Sequence, residues 1–409
     1  MQKRLSTLLI CSLVSVAAVS ADKDLTVTVA NHTGMDKTNE PIVLKVNKYG
    51  MEVTSALVTL DGKEIPCQLD DMDRDGVSDE LCFLTDITKK NMQTFKVTLS
   101  DTGKPRVYSP KTYAELMVLN RKVKIKNKQD LYLSEMTVEK GVNPYQQMNH
   151  HGVAFENELL CMRVYFDHRQ TVDLYGKISK RLELKDTQFY PDAEQKANGY
   201  GDDVLWVGTS YGLGALRGWN GTKQTMLNDV DRRSQRVIAS GPLRTIVEIE
   251  DRGWTQDGGN ETVDMTTRYI LYAGHRDCDV NVWFRKPTYS LYSTGLVNVK
   301  GSDEYSNKNG IRGCWGTDWP VALKDTANHK RETVGLGIYI PKQYIVSEEK
   351  ADADEYTFVI KPQGTSLNYK ITYCSANENF GYHSKKEWFQ YLKEWEEQLS
   401  KPLVVTVSE

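Results

Sequence analysis

After Ala21 this sequence is short of several things, and each shortage narrows what it does. No later apolar run approaches the ~20 residues that span a bilayer, so no membrane-crossing helix is expected. Neither charge predominates: 52 Lys and Arg stand against 55 Asp and Glu, a net charge of -3, which sets up no general field for nucleic acid or an anionic membrane. Cysteine is scarce at 7 of 409 residues, and the six that follow the leader (67, 82, 161, 278, 314, 374) have no zinc-ligand spacing. No internal repeat, low-complexity tract or named catalytic signature is present. Gly212-Leu213-Gly214, with no helix behind it, reads as close packing and not as a phosphate loop. Small ligands and neutral surfaces remain as partners, with nucleic acid and a membrane span excluded.

What is there begins with Lys3-Arg4, an apolar run from Leu8 to Val19, and Val19-Ser20-Ala21 before charged residues. That order is a secretory signal peptide cleaved near Ala21, and it predicts a periplasmic or secreted protein. Ile10 and the continuing apolar run argue against a lipid anchor at Cys11. From Leu25 to Leu99 apolar and polar residues alternate, as in Leu25-Thr26-Val27-Thr28-Val29 and Phe95-Lys96-Val97-Thr98-Leu99, with Gly34, Gly50 and Asp61-Gly62 as turns. Half-buried antiparallel strands have this period, so the fold class is mainly β. The polar, proline-bearing stretch 101–115 marks a boundary, giving an N-terminal β-sandwich module over 22–105 and a larger antiparallel domain over 106–409. Lys122-Val123-Lys124-Ile125-Lys126 reads as one of its strands, and Gly313 to Pro320 as an aromatic loop. One long helix is predicted, Ser384 to Leu399, with a capping residue at Ser384 and a stripe of Trp388, Leu392, Trp395 and Leu399.

Within the first module lies Asp71-Met72-Asp73-Arg74-Asp75-Gly76-Val77-Ser78-Asp79. Carboxylates of Asp71, Asp73, Asp75 and Asp79, the Val77 carbonyl, and a glycine at the sharp turn are the hard oxygens and geometry that calcium takes. Cys82 stands where an EF-hand has glutamate, and the flanks read as strands, so the loop resembles the short calcium loops of extracellular β-structures. A structural calcium is expected; the alternative is a solvated acidic turn. Cys67 and Cys82 flank the loop almost symmetrically, either as a hairpin disulfide or as two packed thiols.

The densest chemistry lies between Asn149 and Lys177, where three of the 7 histidines fall among carboxylates, tyrosines and cations. Alternation puts Arg163, Tyr165 and Asp167 on one face of a strand and Val164, Phe166 and His168 on the other. His150 and His151 point apart for the same reason. The candidate catalytic residues are His150, His151, Glu156, Arg163, Tyr175 and Lys177: His151 as base or acid, Glu156 its partner, Tyr175 a second proton carrier, Arg163 and Lys177 the anchors of a carboxylate. Candidate substrate-binding residues are Asp167, Arg244, Arg268, Trp315 and Trp319, the arginines either lining a cleft or pairing with nearby carboxylates, the tryptophans as sugar-stacking platforms or core anchors.

Gln68-Leu69-Asp70-Asp71, His150-His151-Gly152, Phe155-Glu156, Arg163-Val164-Tyr165-Phe166-Asp167, Asp173-Leu174-Tyr175-Gly176-Lys177, Gly201-Asp202-Asp203 and Gly241-Pro242-Leu243-Arg244 together resemble a functionally uncharacterised family of secreted Bacteroidota proteins of about this length. The resemblance covers nearly the whole chain after the leader. It implies a galactose mutarotase-like β-supersandwich and a role in the use of pectin-type polysaccharides, and it supplies no site residues. A carbohydrate-active protein acting on uronic-acid-containing saccharides is therefore expected, a lyase or hydrolase by acid/base chemistry. The alternatives are a sugar mutarotase or epimerase, which needs the same groups, and a non-catalytic glycan-binding protein.

Overall fold

The computed structural model describes residues 22–257 and 259–409, so the expected leader lies outside the described residues. The alternation over residues 25–99 folds into a two-layer sandwich. Asp22–Asn31, Asn91–Ser100 and Ser55–Leu60 pair side by side and turn Leu25, Val27, Val58 and Val97 inward. Facing them is a three-stranded sheet of Lys37–Lys45, Glu80–Ile87 and Cys67–Asp70, which contributes Ile42, Leu44, Leu81 and Phe83. The last strand of the chain, Val404–Ser408, returns to pair with Asp22–Asn31 and closes that edge.

From Thr112 onward a nine-stranded antiparallel sheet stacks on a six-stranded sheet and a second five-stranded sheet. Their facing side chains, among them Val153, Val164, Phe166, Val247, Ile249, Leu336 and Phe358, form one large core. The chain is thus mainly β, in several antiparallel sheets, with one long helix, Lys385–Leu399, near its end.

The outer face of the nine-stranded sheet is covered at two places. At one, Trp388, Leu392 and Trp395 of the helix lie on strands Ile311–Asp318 and Glu332–Tyr339, where glycines make the room. A Cβ on Gly335 would come within 2.6 Å of the Trp388 ring and one on Gly313 within 2.4 Å of Leu392. At the other, the sandwich docks through Gln68. Its side-chain oxygen accepts from the backbone of Leu243 (2.9 Å) and Arg244 (3.1 Å), and its nitrogen donates to the Arg244 carbonyl (3.0 Å). Two sequence motifs more than 170 residues apart, Gln68 to Asp71 and Gly241 to Arg244, meet in this joint.

The structure departs from two expectations and decides one alternative. Residues 122–126 form no strand: they run through turns to a 3-10 turn at Lys126–Lys128, because Gln129 reaches back to accept from the Asn120 backbone and to donate to the carbonyls of Val123 and Ile125. Gly313 to Asp318 is strand, not loop, and its Trp315 packs against the helix cluster. Cys82 stands opposite Gln68 while Cys67 stands opposite Phe83, so the thiols face different cores and, like every described cysteine, both are free and buried.

Replacing Trp388 by alanine leaves a hole over the two glycine-floored strands and is expected to cost about 3–5 kcal/mol, read by urea unfolding. A loss under about 1 kcal/mol would show that the helix is an ornament to this sheet.

Candidate functional site

The six-stranded sheet turns apolar side chains to the core and a layer of polar ones outward. Gly152–Asn157, Cys161–Tyr165 and Val172–Gly176 lie in register, so that Arg163 stands beside Asp173 and Cys161 beside Tyr175, with Asp202–Asp203 extending the sheet past Tyr175. Arg163 and Tyr165 face outward and Val164 and Phe166 enter the core, as the alternation required. This outer layer divides into a sealed half and an open half.

In the sealed half Lys177 and Glu156 are both fully buried and form an ion pair at 2.6 Å. Lys177 also donates to the carbonyls of Asn157 and Arg181, each at 2.6 Å, which uses its three hydrogens. Glu156 accepts in addition from the backbone of Glu183 and Leu184 at 2.7–2.9 Å; burial pushes its pKa up, against the pull of Lys177. Tyr175 donates to Glu183 (2.8 Å) beneath the turn Leu184–Thr187, and burial pushes its phenol upward. His150 pairs with Glu115 at 3.1 Å with neither side chain exposed. All four residues, expected to handle protons or anchor a carboxylate, are buried: residues 181–184 close over Lys177, Glu156 and Tyr175, and His150 is sealed against Glu115.

The open half leaves His151, Tyr190 and Asp203 part-exposed around a buried Arg163. Arg163 holds Asp173 through Nε (3.0 Å) and Nη2 (2.6 Å), reaches Asp203 (3.3 Å) and the Tyr190 hydroxyl (3.3 Å), and lies over the Phe189 ring at 4.1 Å. Tyr165 donates to the same Asp173 oxygen at 2.7 Å. His151 stacks on Tyr145 with centroids 4.0 Å apart, and its Nδ1 donates to the Tyr145 carbonyl at 3.1 Å. That bond fixes the tautomer, with Nε2 as the nitrogen able to accept a proton. His151 sits at φ 69°, an uncommon backbone region for a residue other than glycine. Burial, and then the charge of Arg163, hold its pKa down to about 4, so the ring is neutral at ordinary pH. Asp203 has the opposite perturbation: burial, and then the Asp173 carboxylate, push it well above the carboxylate range, although 29% of its side chain still meets solvent. A neutral imidazole and a carboxyl pushed toward its protonated form thus flank one guanidinium. Asp167 is buried and tied to Arg169 at 2.6 Å, and Arg169 lies over the Tyr145 and Tyr165 rings, so Asp167 orients this cluster from behind. Tyr145 and Asp203 were missed as site members in the sequence; Gly201-Asp202-Asp203 was the available signal for the second.

A separate groove of about 670 Å³ opens on the outer face of the nine-stranded sheet beside the acidic loop. Arg268 lines it, paired with Glu248 at 2.6 Å and lying over Trp283, whose ring is 39% exposed. Arg236 bonds the other oxygen of Glu248 at 2.8 Å, so both earlier alternatives for Arg268 hold at once: it is paired, and it faces a cleft. Arg244 does not line this groove. It is sealed in the sandwich joint with Asp70 (2.7 Å) and Glu80 (2.9 Å). Trp319 is half-buried and acts through its backbone carbonyl, which accepts from Trp206.

At the groove's rim Asp71, Asp73 and Asp79 bring carboxylate oxygens within 4.8 Å of one another. Backbone hydrogens of Arg74, Asp75 and Gly76 point at Asp71, wrapping the loop around that centre; Asp75 accepts from Val77 and stands outside the trio. The donors are all hard oxygens, which suits calcium over softer metals. Among the described residues no helix is long and apolar enough to cross a membrane.

A family model described as "Domain of unknown function (DUF4861)" matches residues 29–405. No curated protein matches the chain. Among solved structures it is similar to a protein in the glycosyl hydrolase family 38 from Enterococcus faecalis, with 8% identity and a TM-score of 0.46 over 94% of this chain and 47% of that one. It is also similar to an alpha-mannosidase from Enterococcus faecalis V583, with 9% identity and a TM-score of 0.46 over 94% of this chain and 46% of that one. The chain spans less than half the length of either.

Two measurements probe the halves of the polar layer. Lys177→Ala leaves the Glu156 carboxylate without its cation and is expected to cost about 3–5 kcal/mol in unfolding free energy, while Lys177→Met combined with Glu156→Gln recovers most of it. For His151 the depressed pKa fixes a sign. From pH 6.5 down to about 4 the unfolded chain binds this proton before the folded one, so the residue's contribution is complete above 6.5 and drains away through that window. His151→Asn, which tolerates the positive φ, should therefore narrow its stability gap to wild type as pH falls; parallel curves would refute the assignment.

Proposed function

The chain belongs to the DUF4861 family, and we propose that it is an exported carbohydrate-active enzyme that uses acid/base chemistry on saccharides containing a uronic acid. The observation that carries this is the gathering of the His151 imidazole and the part-exposed Asp203 carboxyl around Arg163, with burial pushing the proton affinity of the first down and of the second up. General acid/base catalysis needs two groups whose environments push their proton affinities toward opposite roles at one pH.

The reaction these groups suit is β-elimination. His151 Nε2 takes the C5 proton of the uronate, the C4–O bond breaks as the C4–C5 double bond forms, and the Asp203 proton passes to the leaving oxygen. Arg163 Nη1 and the Tyr190 hydroxyl, hydrogen-bonded to each other at 3.3 Å, would hold the uronate carboxylate and stabilise the charge that builds there. Tyr145 and Tyr165 hold the cluster itself in place, Tyr145 stacked on His151 and both rings lying under Arg169. The acidic loop is read as a structural calcium site held by Asp71, Asp73 and Asp79, beside the groove and away from the elimination. A second reading, a glycan-binding protein without catalysis, is supported by the Trp283, Arg268 and Glu248 floor of that groove.

The test is incubation of the protein with pectic oligosaccharides, with and without chelator, followed by mass and by ultraviolet absorbance. Unsaturated products are expected, reduced about 10²–10⁴-fold in His151→Asn and in Asp203→Asn. Chelation should lower the melting temperature, with recovery on adding calcium. Faster anomer equilibration with no cleavage replaces elimination by mutarotation. Binding abolished by Trp283→Ala, with no reaction on any substrate, replaces catalysis by the second reading.

A further inference from the structure

A cavity of about 1110 Å³ opens at the end of the second five-stranded sheet, and the reading above makes no use of it. One wall is the loop from Leu205 to Ser210, and that loop is tied to the acid/base cluster at two points. The Leu205 backbone donates to Asp203 at 3.3 Å, and the Gly208 carbonyl accepts from Arg169 at 3.3 Å. Between them Trp206 presents an indole that is 51% exposed, held by its backbone hydrogen bond to Trp319. Gly208, at φ 53°, turns the loop back so closely that a Cβ there would meet the indole nitrogen at 3.3 Å. The aromatic platform of this cavity and the acid of the reaction therefore lie three residues apart on one short loop.

The charge of the lining differs from that of the His151 cluster. Asp257, Asp318, Asp352, Asp354 and Glu355 line it, with Lys223 and Lys300 the basic residues among the lining. Glu355 is buried beside Gln224, which donates to it, and burial pushes its pKa to about 7. Carboxylates beside an open indole accept hydrogens from sugar hydroxyls, and they repel a ring that carries its own carboxylate.

We propose that this cavity is a subsite for uncharged sugar residues adjoining the uronate in the same saccharide, an inference that rests on the acid/base reading at His151 and Asp203. The enzyme would then select a heteropolymer in which acidic and neutral residues follow one another, over a run of uronates alone.

The test compares an α-1,4-linked galactose tetramer with the α-1,4-linked galacturonate tetramer, which differs only by its carboxylates, by titration calorimetry with the full chain. The galactose tetramer has no carboxylate to acidify C5, so its binding is read without elimination. It is expected to bind wild type, and Trp206→Ala should weaken it roughly tenfold, about 1.4 kcal/mol. Asp354→Lys should move the preference toward the galacturonate tetramer. Failure of the neutral tetramer to bind, binding indifferent to Trp206→Ala, or a preference unmoved by Asp354→Lys would overturn the subsite even with elimination intact. Trp206-dependent binding with no unsaturated product from any uronate substrate would instead remove the acid/base reading and keep the cavity as a neutral-sugar site.

Discussion

The buried pair of Lys177 and Glu156 is the constraint on which the rest of the polar layer depends. Two charges taken out of water are tolerable only when every hydrogen and lone pair finds a partner, and here the partners are backbone groups of residues 181–184. The ion pair thereby fixes a segment that has little regular structure of its own. Once fixed, that segment delivers Phe189 under the Arg163 guanidinium and Tyr190 to its Nη1. Sealing one half of the sheet's outer face and shaping the other are consequences of the same set of hydrogen bonds.

The open half works by unequal environments. Arg163 is shared by two aspartates, and the one deeper in the sheet, Asp173, also accepts from Tyr165, leaving Asp203 as the carboxyl whose pKa burial and the Asp173 charge push upward. His151 is kept neutral by burial and then by the same guanidinium, while its hydrogen bond to the Tyr145 carbonyl pulls the other way. The left-handed backbone at His151 precedes Gly152, where a Cβ would strike the Val164 carbonyl, so the turn that aims the imidazole is set by how closely two strands approach.

Much of this was legible in the sequence, and the failures have physical causes. Period-two alternation gave the strands and the split of Arg163 and Tyr165 from Val164 and Phe166, because alternation is a property of the backbone itself; His150 and His151 lie in the turn before Gly152–Asn157, where it does not apply. The helix from Lys385 to Leu399 was legible because its cap and stripe are local. Whether an outward-facing side chain meets water was not legible: Lys177 and Tyr175 face outward and are sealed, since the cover comes from residues further along the chain. Arg244 was misplaced for the same reason, its partners Asp70 and Glu80 lying in another layer. Lys122 to Lys126 has strand-like spacing, but side-chain bonds from Gln129 hold it in turns.

The edge strand Val404–Ser408 completes a sheet that Asp22–Asn31 began. As the polypeptide is made, its earliest described strand must therefore wait with one side unsatisfied until almost everything else has emerged. The small sandwich, although first in order of synthesis, is among the last parts to be finished, and a chain cut short before residue 404 would carry an exposed ladder of hydrogen-bonding groups open to pairing with another molecule.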